Sequence, residues 1–266
     1  MNISGWLQLA LYLVALILIT KPLGIYLFQV LDVNGKTFLD PVIKPFERLT
    51  YRIFRVNPEK EQGWILYTIA MLIFEVVTVL MTYLILRFQN FLPLNPQGLA
   101  GVTDHLAFNT AWSFATNTNW QSYGGESTMS YLSQMLALAS HNFLSAAIGI
   151  AIAAAVVRGI ARHSTKTIGN FWVDLVRINY YLLLPISIVF AIFLVAQGVP
   201  QNFKPYDTAK VVEVQTVQVP KKDDAGNPMK DAKGNPVMVD QKVDSQSIVE
   251  DRLCGALHVA HAETLT

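Results

Sequence analysis

The chain reads Thr116-Asn117-Thr118-Asn119-Trp120-Gln121-Ser122-Tyr123-Gly124-Gly125-Glu126, a polar run enclosed by apolar sequence on both sides. The whole segment 88–127 is too apolar for an ordinary loop and too short to cross a bilayer twice. Residues 106–114 are compatible with a helix, and Asp104 is expected to cap its N-terminus. The segment is therefore expected to re-enter the membrane as a half-helix followed by a polar loop.

Irregular backbone at membrane depth is tolerated only where protein buries it or where it lines a water-filled cavity. Backbone carbonyls in an extended loop can replace the water shell of a monovalent cation without adding charge, and Thr and Asn add side-chain oxygens. Gly124 and Gly125 are expected to adopt backbone angles closed to other residues, and Trp120 to wedge the loop against its neighbours. The alternative is an ordinary polar surface loop, because the same residue types dominate turns.

The composition is that of a membrane protein, with 52% hydrophobic and 15% charged residues. A soluble domain carries roughly 25% charged residues. The net charge of +1 and the short basic clusters exclude the continuous basic face of a nucleic-acid binder. Cys254 is the only cysteine, which excludes an internal disulfide and a zinc site built on paired thiolates.

Apolar segments long enough to cross a bilayer are expected at 4–20, 64–86, 128–157 and 178–197. The first is expected to stay as a helix rather than act as a cleaved signal, because no basic residue precedes Lys21. Loops rich in Lys and Arg follow the first and third spans, whereas the segment 88–127 has neither residue. The positive-inside rule then places the basic loops in the cytoplasm and the N-terminus outside.

The composition beyond Gly198 changes to that of a soluble loop rich in Lys, Asp, Pro and Gly. Residues 212–219 alternate imperfectly between apolar and polar, and 237–239 offer a return strand, which predicts a small outer hairpin. Its tip carries a weak repeat, at 224–228 and 231–236, of residues that favour turns. We assign that repeat no chemistry.

The chain closely resembles the KdpA family, the pore subunit of the bacterial Kdp-type potassium-transporting ATPase. The resemblance covers roughly 6–202 and is carried by several motifs besides the polar run. These are Lys21-Pro22-Leu23-Gly24, Leu92-Pro93-Leu94-Asn95-Pro96-Gln97, Asn142-Phe143-Leu144-Ser145-Ala146-Ala147 and Gly169-Asn170-Phe171-Trp172-Val173-Asp174-Leu175.

That resemblance implies an all-α polytopic membrane protein of the potassium transporter superfamily, built from repeats of span, half-helix, filter loop and span. In the family, four such loops surround one potassium ion. Backbone oxygens around Asn117, Thr118 and Asn119 would face the ion, and Gln121 would tune the site. The implied ion-binding set is Thr116, Asn117, Thr118, Asn119, Gln121, Gly124 and Gly125.

The resemblance also implies that potassium uptake and ATP hydrolysis take place on different subunits. The pore subunit takes up potassium, while ATP and Mg²⁺ act on a separate KdpB-type subunit, and KdpC-type and KdpF-type small subunits complete the complex. This chain would then not be an enzyme by itself, and it would bind no cofactor other than K⁺. Consistent with that, it contains neither a phosphate-cradling Gly-rich motif nor an Asp-Lys-Thr-Gly phosphorylation motif. The implied location is the bacterial inner membrane.

The resemblance predicts an organisation in five parts, the last of which departs from the family. The parts are a first membrane helix and cytoplasmic loop (1–62), a first pore repeat (63–160), the first helix of a second repeat (161–198), an extracytoplasmic loop (199–250) and a tail unlike the family (251–266). We therefore expect a truncated, N-terminal fragment of the pore subunit, ending through a frameshift or premature stop, which would not conduct alone.

Glu75 lies at the midpoint of the second span, where a carboxylate is costly and functional roles are common, so it is a candidate for the vestibule below the filter. The alternative is a protonated or paired structural carboxylate. His141 is interpreted as a hydrogen-bonded packing residue. Asp174 and Arg177 are expected to form a structural ion pair.

Two rival functions remain open at this point. One is a cation channel in which four copies of this chain form a ring, and a detergent-solubilised tetramer with its own ion flux would favour it. The other is a non-transporting membrane assembly or remnant protein whose loop merely packs.

Overall fold

The computed structural model describes residues 3–32, 35–162, 165–199, 203–205, 207–220 and 238–248. The chain divides into two compact units, Met1–Gly198 and Val199–Thr266. The first is helical and the second contains a hairpin of two strands. The tail at 251–266 and the turn-rich repeat at 224–236 lie outside the described residues.

The first unit contains four helices that are long and apolar enough to cross a membrane. Its helices are α1 (Ile3–Leu31), α2 (Asp40–Phe54), α3 (Trp64–Arg87), α4 (Asp104–Ala115), α5 (Gly125–Thr128), α6 (Ser133–Ala161) and α7 (Phe171–Ala196). Its strands are β1 (Gln62–Gly63) and β2 (Thr167–Gly169). The spans α1, α3, α6 and α7 confirm the predicted membrane architecture, and α4 is the predicted half-helix.

Three predicted span limits are wrong. Helix α6 begins at Ser133 instead of 128, because Thr128 ends the separate helix α5 and the backbone at Met129 is extended. The other two are the end of the first span and the start of the fourth. Helix α1 continues past Pro22 to Leu31, because a membrane helix tolerates proline and its last turns pack against the bundle. Helix α7 begins at Phe171, because the Asn170 side chain caps it by accepting a hydrogen bond from the Trp172 amide at 3.1 Å. Both α6 and α7 contain a π-helical stretch, at Ser133–Ala139 and Ile178–Leu183 respectively.

The two basic loops lie at the same end of the bundle, as the charge pattern predicts. Strand β1 pairs antiparallel with β2, which joins the loop after α2 to the loop after α6. Arg162 Nη1 donates to Glu61 Oε1 at 2.9 Å, and the Thr167 hydroxyl donates to Glu61 Oε2. Because these contacts join the two loops, they hold the start of α3 next to the end of α6.

The expected ion pair between Asp174 and Arg177 is wrong, because each finds its partner on another helix. Arg158 binds Asp174 through both carboxylate oxygens, at 2.6 and 2.8 Å, and Tyr67 donates to the same carboxylate at 2.9 Å. Arg177 lies 3.7 Å from Glu47 on α2. All these side chains are buried or nearly so, so a two-oxygen pairing with hydrogen-bond support outweighs a single contact one helical turn away.

The second unit contains an antiparallel hairpin of β3 (Asp207–Pro220) and β4 (Met238–Ile248), with an irregularity between Lys210 and Gln215. A hairpin is thus present where alternation predicted one, and both strands extend beyond the predicted residues. Val237, part of the predicted return strand, lies outside the described residues.

Candidate functional site

The half-helix α4 is held between the membrane spans by small residues on its inner face. Ala111 and Ala115 are fully or almost fully buried against Val79 of α3, with Tyr83 beside them. At its N-terminus, Asp104 is the first helical residue rather than the cap, which is Thr103. Asp104 instead pairs with Arg87 at 2.6 Å, so the outer ends of α3 and α4 are joined by charge.

Gln89 closes the segment that enters and leaves the half-helix. Its fully buried amide nitrogen donates to the carbonyls of Ala100 and Thr128, and its amide oxygen accepts from the Ser130 amide and the Ser133 hydroxyl. Every polar atom of this side chain is therefore used. The arrangement fixes both ends of the re-entrant segment against the start of α6.

The polar loop after α4 is folded around Ser113. The Ser113 carbonyl accepts hydrogen bonds from the Thr118 amide at 3.0 Å and the Asn119 amide at 3.1 Å. Its hydroxyl accepts from the Trp120 amide at 2.6 Å and donates to the Trp120 carbonyl at 3.1 Å. One buried serine of the last helical turn thus folds residues 116–120 back over the helix end.

The loop changes direction at two asparagines and not at the glycines. Asn117 and Asn119 have φ of 60° and 55°, whereas Gly124 has φ of −84° and Gly125 begins α5. The expected role of the two glycines is therefore wrong. Asn tolerates the left-handed region better than other residues with a side chain, which explains why it can stand where glycine was expected.

The carbonyl oxygens of residues 116–119 accept no hydrogen bond from any described residue. The side chains of Thr116, Asn117, Thr118, Asn119 and Gln121 are likewise exposed. Trp120 is 78% exposed, so it does not wedge the loop as expected. The negative end of the α4 dipole also faces this loop, which favours a cation there.

Helix α6 supports the loop from the other side. The Ser145 hydroxyl donates to Asn117 Oδ1 at 3.2 Å, and Asn119 Nδ2 donates to Asn142 Oδ1 at 3.4 Å. His141 is 1% exposed and bonds the Ala137 carbonyl at 2.7 Å, as the packing interpretation predicts. The loop is therefore braced by α6 as well as by its own half-helix.

The remaining candidates lie beside or below this loop. Gly125 would place a Cβ 3.4 Å from the Gln134 side chain, so it packs closely at the start of α6. The Tyr123 hydroxyl is buried and has no hydrogen-bond partner among the described residues. Glu75 is half-buried on α3, and its Oε2 is likewise buried without a described partner. No described hydrogen bond joins Glu75 to the loop.

Neutral oxygen atoms dominate the site. Among the described residues, no group of three or more His, Cys, Asp or Glu side chains converges to hold a metal ion. The carboxylate of Asp104 stands at the far end of a 12-residue helix, which separates it from the loop by about 17 Å. The carbonyls at 116–119 would therefore contact a ligand as dipoles, and Glu126, whose carboxylate lies beside Gly124, is the charged group in the same loop.

Ser113, Asn142 and Ser145 were not predicted as site residues. The signals in the sequence are their positions, since Ser113 lies in the last turn of the predicted half-helix, and Asn142 and Ser145 lie one turn apart on the next span within a motif that carries the family resemblance. Their contacts depend on how α4 and α6 pack, which the local sequence does not show.

Residues 10–227 match the family model described as KdpA, the potassium-transporting ATPase A subunit. A protein of Acidobacterium capsulatum is 55% identical over 216 residues, which cover 81% of this chain and 36% of the relative. Proteins of Ralstonia pickettii and Dechloromonas aromatica are 51% and 49% identical, covering 91% and 93% of this chain and 41% of each relative.

These three relatives carry the name potassium-transporting ATPase potassium-binding subunit. The chain spans 36–41% of their length. The matched residues include the whole first unit from position 10 and therefore both the half-helix and the polar loop.

Proposed function

The chain belongs to the KdpA family of potassium-transporting ATPase A subunits, and on that premise we propose that it binds potassium and passes it inward as part of an ATP-driven importer. The observation that carries the proposal is the loop at 116–121. Its carbonyls at 116–119 accept no hydrogen bond from any described residue, and they stand at the C-terminal end of a half-helix packed between two spans.

The chemistry follows from the dipoles in that loop. Potassium leaves its water shell when several oxygens replace the water at once, and carbonyls held by a folded backbone do so without reorganising. Asn117, Thr118 and Asn119 supply backbone oxygens, and Thr116, Gln121, Gly124 and Gly125 complete the proposed ion-binding set. Glu75 would attract the ion into the vestibule below the filter.

One loop supplies only part of the coordination, so further loops must complete the shell. The alternative with four copies of the chain remains distinguishable by stoichiometry, since it requires a tetramer with its own ion flux. Nothing in the part of the chain that the structure describes favours that tetramer or a non-transporting assembly over the importer subunit.

The partners of the proposal are those the family implies. ATP and Mg²⁺ would act on a KdpB-type subunit, with KdpC-type and KdpF-type small subunits completing a P-type ATPase complex. This chain would not hydrolyse ATP. It would lie in the bacterial inner membrane with its N-terminus outside, as the basic loops predict.

The experiment asks whether potassium binding depends on the backbone conformation or on the side chain of Asn119, whose φ is 55°. Asn119→Gly keeps the left-handed conformation, whereas a β-branched residue is strained there by about 1–2 kcal/mol. In the assembled complex, Asn119→Val should therefore raise the potassium concentration for half-maximal transport by roughly 5- to 30-fold, and Asn119→Gly should stay close to wild type. Equal losses in both variants would reject a backbone filter. No potassium dependence in the wild-type complex would reject the function.

A further inference from the structure

Helix α2 presents three chemically distinct faces. Its apolar face repeats at helical spacing and is exposed, with Phe46 61% and Ile53 63% accessible. The members of this apolar stripe are Val42, Phe46, Leu49 and Ile53. An exposed stripe of this kind in one 15-residue helix requires an apolar surrounding.

A second face of α2 is basic and uncompensated. Arg48, Arg52 and Arg55 are exposed, and none of them forms an ion pair with any described residue. Lys44, on the same side, lies 3.7 Å from Asp40. These arginines therefore present positive charge next to the apolar stripe, as in helices that lie at a membrane surface.

The third face fixes the orientation of the other two. Glu47 accepts hydrogen bonds from Tyr51 at 2.9 Å and from Tyr181 of α7 at 2.8 Å, and the Thr50 and Tyr180 hydroxyls lie 3.0 Å apart. Because this buried face is bound to a membrane span, α2 cannot rotate its apolar stripe inward. The stripe must meet whatever surrounds the bundle at that level.

The C-terminal end of α2 adds a groove of about 730 Å³. It combines the basic side chains of Arg55 and Lys60 with apolar walls from Phe54, Leu66 and Trp172. Apolar side chains are also exposed on the spans, for example Phe28 of α1, which is 71% accessible. The stripe thus has the same exposed, apolar character as the surface that the spans present to lipid.

From these faces we propose that α2 is an interfacial helix that binds anionic phospholipid. Its apolar stripe enters the boundary of the acyl chains, and Arg48, Arg52 and Arg55 contact lipid phosphates. The positive-inside rule puts α2 on the cytoplasmic side, where the leaflet is anionic, so charge and apolar surface favour the same occupant. The proposal does not depend on potassium binding.

The first experiment measures lipids retained by the detergent-solubilised chain in native mass spectrometry, with phosphatidylglycerol compared with phosphatidylcholine. Each basic side chain near an anionic surface contributes about a factor of five, so R48Q/R52Q should lower the preference for phosphatidylglycerol by roughly 10- to 30-fold. The matched control K36Q/K166Q removes two exposed charges from the same side of the membrane and should change it less than twofold. A wild type without preference, or an unchanged R48Q/R52Q variant, overturns the proposal.

The second experiment places a spin label at Phe46→Cys or Arg52→Cys, in a Cys254→Ser background, in nanodiscs containing phosphatidylglycerol. The label at 46 should be accessible to oxygen, which partitions into lipid, and the label at 52 to a water-soluble nickel chelate. Nickel accessibility at 46 would place the stripe in water, and accessibility to neither reagent would show that protein covers it. Either result overturns the proposal and leaves the potassium proposal intact.

Discussion

Removing the Ser113 hydroxyl should loosen the polar loop without unfolding the bundle. The substitution Ser113→Ala deletes the acceptor of the Trp120 amide, at 2.6 Å, and the donor to the Trp120 carbonyl, at 3.1 Å. The Ser113 carbonyl stays, so the amides of Thr118 and Asn119 keep their acceptor.

The magnitude follows from the hydrogen bonds lost. A net hydrogen bond is worth about 1 kcal/mol, and an amide left partly buried without a partner adds up to about 1 kcal/mol more. The two lost bonds and the unpaired amide should therefore cost the closed loop about 2–3 kcal/mol, which corresponds to roughly 30- to 160-fold in its opening equilibrium.

Amide hydrogen exchange of the chain in nanodiscs measures this opening residue by residue. Protection of the Trp120 amide should fall by roughly that factor, and protection of Thr118 and Asn119 by less. Ser140→Ala is the matched control, because its hydroxyl donates to the Leu136 carbonyl at 2.6 Å and makes no described hydrogen bond to the loop. Unchanged exchange at Trp120, or an equal change in the control, would refute the role assigned to Ser113.

Three further perturbations test the rest of the structure. Asp174→Asn leaves the buried Arg158 guanidinium without its carboxylate, so it should lower the free energy of unfolding by about 3–5 kcal/mol, measured by thermal unfolding. The control is Lys44→Gln, which removes the more exposed ion pair with Asp40. A loss no larger than that of the control would contradict the prediction. The Thr167 hydrogen bond and the Arg162 charge outweigh burial and lower the pKa of Glu61 below its ordinary 4.5. The contribution of Glu61 to the free energy of unfolding is therefore present above pH 4.5 and is lost as the pH falls through the pKa of the folded state. Glu61→Gln should therefore make the free energy of unfolding less dependent on pH in acid. An unchanged pH dependence would contradict this. Glu75→Gln should reduce potassium uptake by the assembled complex, and unchanged uptake would remove Glu75 from the vestibule.

Hydropathy and length were sufficient to predict the membrane spans and the re-entrant half-helix. The segment 88–127 carries no basic residue and is too apolar to stay in water, so entering the membrane as α4 is the arrangement that satisfies both constraints. The span limits were less accurate. Pro22 ends a helix in water but not in a bundle, where neighbouring helices hold the following turns.

Contacts between helices could not be predicted from local spacing. Asp174 and Arg177 satisfy the helical ion-pair rule, yet Arg158 reaches the same carboxylate from α6 with two hydrogen bonds. A buried carboxylate selects the partner that satisfies most of its lone pairs, and that choice depends on tertiary packing.

In the candidate site, too, the sequence predicted the position of the loop but not its contacts. The sequence identified the polar loop by composition, but it assigned the unusual backbone to Gly124 and Gly125 rather than to Asn117 and Asn119. The folding of the loop depends on a buried hydroxyl, Ser113, whose partners lie up to seven residues along the chain. Polarity therefore predicts where the loop is, and side-chain hydrogen bonds determine its shape.

The most direct test of the account is the carbonyl ¹³C chemical shift of Asn117, Thr118 and Asn119 in bilayers containing the assembled complex. Potassium should move these signals saturably, while sodium at the same concentration moves them less. The Trp120 carbonyl, which accepts a hydrogen bond from Ser113, should stay in place and serves as the internal reference. Shifts that are absent, or equal for the two ions, would contradict the claim that these backbone oxygens bind potassium.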